Sequence, residues 1–395
     1  MPAISPARCL RPVLPILLTA LLAGCSGGGG GDDDSAELIE AFGLYGQALF
    51  TDSAPNRGKS TAANTLAQPL GNVASDGTRL FIADTSNNRV LAFSAIPSSP
   101  DTAASFVLGQ ANATANTPAT AQNRLALPAA VFLGEGKLVV TDSGNNRVLI
   151  WNSVPAAATP PDVVVGQADF ASATSGTSAG MLAFPTSAVI ANGRLVVADQ
   201  NNNRVLVWNT VPTANGAVAD LVLGQPDFAT READDEADEM NKPAGLWSDG
   251  FRLLVTDSGN NRVLYWALFP QQSSADADYV IGQSGFSRSS AGSSAATLRA
   301  PFGVGSDGTR IYIADSGNNR VLRYNAFPLE NGLSAAAVYG QEELTAVIAN
   351  DDDQDGEADD TPTARTLSGA SGAAIHGGVL YVSDRNNNRI LFFPQ

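Results

Sequence analysis

Four carboxylates in one short stretch could hold a hard cation. Asp351, Asp353 and Asp355 alternate, Gly356 follows, and Asp359 stands at the ninth position counted from Asp351. Alternate carboxylates can converge on one calcium ion, and glycine permits the sharp turn beneath it. At the twelfth position Pro362 stands where a high-affinity loop carries a bidentate Glu. The spacing therefore predicts a weak loop site, of the kind with dissociation constants of about 10⁻⁴–10⁻³ M. No paired helices flank the stretch. Calcium is the one cofactor that the sequence suggests.

A second polar set recurs six times, an Asp followed by Asn-Asn-Arg. The pairs are Asp84 with Arg89, Asp142 with Arg147, Asp199 with Arg204, Asp257 with Arg262, Asp315 with Arg320 and Asp384 with Arg389. A catalytic residue is normally unique, so six equivalents argue for architecture. Asp and Asn side chains readily bond turn backbone, and each Arg is placed to pair with an Asp of its own or a neighbouring repeat. The residue two after each Asp (Ser86, Gly144, Asn201, Gly259, Gly317 or Asn386) is of a type expected to tolerate left-handed backbone. His376 is the only histidine. It precedes Gly377 where other repeats carry Asp, Glu or Asn before Gly, and it reads as a turn residue. No catalytic and no cofactor-binding constellation emerges.

Composition narrows the classes. The chain has 395 residues and a formal net charge of -16. Such an acidic balance, with only three lysines, argues against nucleic acid, whose phosphates need Lys and Arg. Cys9 and Cys25 are the only cysteines and both are N-terminal. The rest of the chain therefore has neither a disulfide nor a thiolate metal site.

The elements that must position these residues are hairpins. Each Asp ends an apolar, β-rich run, and each Arg starts another, as in Leu253 to Asp257 and Arg262 to Trp266. The Asp-to-Asp period is 58, 57, 58, 58 and 69 residues, about four short strands plus turns, which is one propeller blade. An inner strand is expected after Pro69, Pro128, Pro185, Pro243, Pro301 and, in the sixth copy, at Ala370. The third strand ends on an aromatic each time: Phe93, Trp151, Trp208, Trp266, Tyr324, Phe393. The outer strand ends in Gly-Gln. The last repeat lacks an outer strand, whereas Gly46-Gln47 provides a spare one ahead of the first. Pairing the two closes the ring and removes two open edges. The expected fold is all-β, a closed six-bladed β-propeller of four-stranded blades completed by an N-terminal strand. Crossings between blades emerge on the same face as the Asp-Asn-Asn-Arg hairpins. Two of these crossings are strongly acidic, over 232–239 and 351–360.

The Asp-x-x-Asn-Asn-Arg-Val hairpin with its aromatic strand resembles the NHL repeat, known from six-bladed β-propellers. The Gly-Gln-x-x-Phe element, Gln167 to Phe170 for example, resembles that of bacterial NHL-repeat proteins. The resemblance covers roughly residues 40–395 and implies the fold. It implies little about function, because the family spans scaffolds, RNA binders and a few enzymes. One of these, a peptidyl-amide lyase, uses a histidine-ligated zinc, for which one histidine is too few. A lactonase-like hydrolase would need carboxylates around the channel. The inner strands offer only Asn72, with Ala130, Ser187, Gly245, Gly303 and Gly372 at comparable places.

Residues 1–24 read as a targeting segment, with Arg8 and Arg11 before an apolar run too short to span a bilayer comfortably. Its ending, Leu22-Ala23-Gly24-Cys25, resembles the lipobox of bacterial lipoproteins. That implies cleavage before Cys25 and its lipidation. Ser26, in place of the Asp that often marks inner-membrane retention, points to the outer membrane. Residues 25–35 are the lipidated Cys and a flexible Gly/Asp linker, and 36–395 the propeller. The resulting expectation is a lipid-anchored, monomeric binding or scaffold protein of the bacterial cell envelope, periplasmic or surface-facing. It would meet a protein or glycan partner on its loop-rich face. The alternative is a propeller enzyme, a metal-dependent hydrolase or a lyase, with its site in the central channel.

Overall fold

The computed structural model describes residues 39–395. Residues 1–24, Cys25 and the linker lie outside the described residues. The described residues belong to one compact unit.

The described chain is all β apart from single 3₁₀ turns: six antiparallel sheets of four strands each. The fourth blade shows how the sequence makes one. Pro243–Ser248 is the inner strand, followed by Leu253–Asp257, Arg262–Trp266 and the outer Tyr279–Ile281. The second and third strands are buried along their whole length, so they read as continuous apolar runs instead of alternating ones. The two-sided burial has a simple cause. Each blade is packed between two neighbours, and every apolar cluster spans a pair of blades. Val196 and Val207 of the third blade meet Leu253 and Trp266 of the fourth. Leu91 and Phe93 of the first meet Ile390 and Phe392 of the sixth. The six clusters run round the ring and return to its start. Burying a side chain of this size stabilises the fold by about 1.5–3 kcal/mol.

Closure follows the expected exchange. Gly43–Tyr45 lies against Arg389–Pro394, pairing Gly43 with Phe392, Leu44 with Leu391 and Tyr45 with Ile390. The sheet that results has the order outer N-terminal strand, third, second, inner strand, like the other five.

Three local readings change. In the first and fifth blades the inner strand starts late, as Ala74–Ser75 and Val304–Ser306, not after Pro69 and Pro301. Neighbouring inner strands touch there: a Cβ on Gly303 would lie 2.7 Å from Gly372 Cα and 3.0 Å from Asn72 Oδ1. In the fifth blade the pairing continues irregularly, with the Phe302 N–H donating to the Ala314 carbonyl and the Ala314 N–H to the Gly303 carbonyl, both at 2.9 Å. His376 is not in the turn. It ends the inner strand Ala370–His376, paired with Val379, and the turn is Gly377-Gly378. Both glycines take positive φ, 59° and 82°, which a two-residue hairpin turn demands. Finally, the left-handed residue of each hairpin is the second Asn, at φ 51–56°, and not the residue two after Asp. In the second blade that earlier position is glycine for a packing reason, since a Cβ on Gly144 would lie 2.8 Å from the Ala126 carbonyl oxygen.

Candidate functional site

The repeated Asp-Asn-Asn-Arg residues form six internal latches. Within each hairpin the Arg Nε donates to its own Asp Oδ2 at 2.7–2.8 Å, with both side chains fully buried. The first Asn donates to the same carboxylate, as Asn260 does to Asp257 at 2.9 Å. The free Asp oxygen accepts a backbone N–H from the incoming crossing, Asn241 to Asp257 at 2.7 Å. The remaining guanidinium donors reach backbone carbonyls. Arg262 bonds those of Asp235, Phe286, Glu236 and Glu239 at 2.5–3.0 Å. One Arg thus fixes the crossing into its blade and the turn leaving its outer strand. Burial pushes the carboxyls of Asp142 and Asp257 up to about 6, against the pull of Arg147 and Arg262. The other four are raised for the same reason.

The second Asn links blade to blade. Its Oδ1 accepts the N–H of Leu127, Phe184, Lys242, Ala300, Gly369 and, across the closing seam, Gln68, at 2.7–2.8 Å. The Gln of each Gly-Gln donates to the carbonyl of that same Asn; Gln47 does so to Asn388 at 3.2 Å. The sequence reading gave this Gln no role. Its constant place behind each outer strand was the available signal.

Both acidic crossings lie on the hairpin face and are held by their backbones. In the first, the carbonyls of Asp234, Asp235, Glu236 and Glu239 accept from Asn260 and Arg262. The Glu232, Asp234 and Glu236 side chains are exposed. Glu239 is half-buried, and burial followed by repulsion from Asp234 and Asp238 raises its carboxyl above the usual range.

In the second crossing, Asp351, Asp353 and Asp359 come together. Each offers a carboxylate oxygen, and these oxygens lie within 4.8 Å of one another. Asp355 stands apart, accepting the N–H of Glu357 at 2.9 Å. Asp352 turns away to Arg365, 2.7 Å distant, and to the Thr363 hydroxyl. Among the described residues no other acidic, histidine or cysteine cluster has metal-ligand spacing.

The channel holds a pocket of about 230 Å³, lined by inner strands of all six blades, with Phe132, Trp247 and His376 its largest side chains. Asn72 engages its amide internally, donating to the Val304 carbonyl and accepting from the Ala373 N–H, both at 2.8 Å. It bridges three blades and is no free ligand. His376 has its basicity lowered by burial, opposed by its bond to the Val73 carbonyl. Trp247 donates to the Ser306 carbonyl at 3.1 Å. No carboxylate lines the pocket.

No protein-family description matches the chain, and no curated protein does. Solved structures resemble it in fold. A protein of unknown function from Bacteroides thetaiotaomicron superposes with a TM-score of 0.53 at 12% identity, over 91% of this chain and 76% of its own. The PQQ-bound aldose sugar dehydrogenase of Streptomyces coelicolor gives 0.46 at 16% identity, over 85% and 96%. A chain of the nidogen/laminin complex gives 0.40 at 16% identity, over 70% and 82%. Identities this low concern the fold alone. The chain is a six-bladed β-propeller.

Proposed function

We propose that this chain is an NHL-type propeller lipoprotein, anchored through Cys25 to the outer membrane of the bacterial envelope, that binds a protein or glycan partner on its acidic hairpin face. One observation carries the reading. The repeated polar residues of that face are bonded internally, so the groups left to meet a partner belong to the unrepeated crossings. Their backbones are clamped from within, by Gln225 at Glu232, Asn260 at Asp234 and Arg262 at Glu236, which makes Glu232, Asp234 and Glu236 a preorganised negative patch. Such a patch suits a partner that presents basic or cation-bridged groups, and it favours encounter at low salt.

The test is capture from detergent-solubilised membranes with the full chain as bait. The comparison is a variant carrying Glu232→Gln, Asp234→Asn and Glu236→Gln. A partner held by the native chain, weakened by salt and absent from the variant, supports the reading. Equal capture by both proteins refutes the acidic face as the binding surface. In the same fractions Cys25→Ala should release the chain from the membrane; retention at unchanged size would dismiss the tether.

A second reading, a hydrolase or lyase working in the channel, draws on the pocket beside His376 and Trp247. A lone imidazole in a pocket that no carboxylate lines falls short of a general acid–base pair, so the binding reading is preferred.

A further inference from the structure

Three carboxylates of the crossing into the last blade are gathered with no cationic side chain between them. Asp351, Asp353 and Asp359 bring oxygens within 4.8 Å of one another. The arginine of this segment, Arg365, pairs instead with Asp352 at 2.7 Å and Glu40 at 3.7 Å. Like charges this close repel unless a cation or protons lie between them.

A separate observation points the same way. Asp351 is only 3% exposed. Its Oδ2 accepts the Gly356 N–H at 3.1 Å, but its Oδ1 is buried without any hydrogen-bond partner. A buried carboxylate oxygen lacking a donor is costly. The other two carboxylates are exposed, so solvent can complete a coordination shell. Oxygen-only donors on a short loop suit calcium, which accepts six to eight oxygens in flexible geometry. Magnesium demands near-ideal octahedral placement and keeps its waters.

We propose that Asp351, Asp353 and Asp359 form a calcium site, and that the bound ion strengthens the seam at which the ring closes. The loop is tied to that seam. Asp352, between two of the ligands, bonds Arg365 and Thr363. The neighbouring Ala364 carbonyl accepts the N–H of Ala41, at the start of the closing segment, at 2.9 Å. The Arg389 guanidinium of the last hairpin donates to the Thr363 and Thr366 carbonyls at 2.9 and 3.0 Å. An ion that orders the loop therefore orders both chain segments meeting there. The site stands or falls independently of any partner on the face.

The full chain is titrated with calcium by calorimetry, and its melting temperature is followed in chelator and in calcium. Asp353→Asn and Asp359→Asn change exposed side chains; Asp355→Asn is the control within the same loop. The native chain should bind one calcium with a dissociation constant of about 10⁻⁴–10⁻³ M, and its melting temperature should rise by about 2–4 °C in excess calcium. Asp353→Asn and Asp359→Asn should melt like the native chain in chelator but bind at least about tenfold more weakly, while Asp355→Asn keeps the native affinity. Absence of both heat and thermal shift up to about 10 mM calcium, far above the expected constant, would overturn the site. So would an equal loss of affinity in Asp355→Asn, which would mean a diffuse negative field and no defined ligand set.

Discussion

At the scale of the residue, the molecule depends on one buried Arg in each blade. Arg262 joins one carboxylate and four carbonyls, which only a flat, multi-donor guanidinium can do. Arg262→Lys keeps the charge but leaves several of these acceptors without a donor. Asp257→Ala leaves the guanidinium buried and unpaired. Breaking a buried pair from one side costs about 3–5 kcal/mol. Both variants should therefore unfold at markedly lower denaturant, and Arg262→Lys should also loosen the crossing that carries the acidic patch. Denaturant melts together with hydrogen exchange over residues 232–239 check this. Native stability in Asp257→Ala would show that the latch is dispensable.

At the scale of the element, the short strand Gly43–Tyr45 removes the open edge of the last blade. Leu44 and Tyr45 are 7% and 0% exposed, and the Tyr45 ring meets Phe93 of the first blade edge-to-face at 4.8 Å between centroids. Deleting residues 36–47 exposes these contacts and the row of backbone groups on Arg389–Pro394. At about 1.5–3 kcal/mol for each large buried side chain, the loss is several kcal/mol. Unchanged melting of the truncated chain would contradict closure by this strand. The uncovered edge should also make that chain prone to self-association, visible by light scattering.

At the scale of the whole molecule, six buried carboxylates set the pH response. Burial raises all six above their ordinary 3.8, Asp142 and Asp257 to about 6. Between those values the folded chain binds protons at Asp142 and Asp257 that the unfolded chain does not, so stability from these two groups rises as pH falls from 6 toward 3.8, and the other four act in the same direction. His376 acts oppositely. Its folded value lies below 6.5, so its contribution is present above 6.5 and is lost as pH falls. At Asp76, Asp249 and Asp307 slight burial is outweighed by bonds from Arg79, Arg252 and Arg310, leaving them below 3.8. Their contribution is intact until pH drops under that value. Six groups outweigh one, so the melting temperature should be higher at about pH 5 than at about pH 7. His376→Gln should enlarge the gain. A lower melting temperature at about pH 5 in both proteins would mean that the buried carboxylates are not raised.

The blade count, the hairpins with their Asp–Arg pairs and the exchange of the N-terminal strand were all legible in the chain. They rest on local chemistry repeated at a fixed period: apolar runs, polar turns and one spare Gly-Gln. Even the acidic crossings could be assigned to the hairpin face, because strand alternation alone dictates on which side a connection emerges. Other features depend on atoms far apart in the chain. That Asn72 bridges to Val304 and Ala373, that His376 looks into a channel pocket instead of a turn, and that the second Asn reaches the next blade's N–H are consequences of ring closure. The candidate ion site divides the same way. Its acidic spacing is written in the sequence, but the fold selects Asp351, Asp353 and Asp359 and leaves Asp355 aside. Direction in space is set by how the loop is pinned at Arg365 and Arg389, and a linear spacing rule contains neither of those restraints.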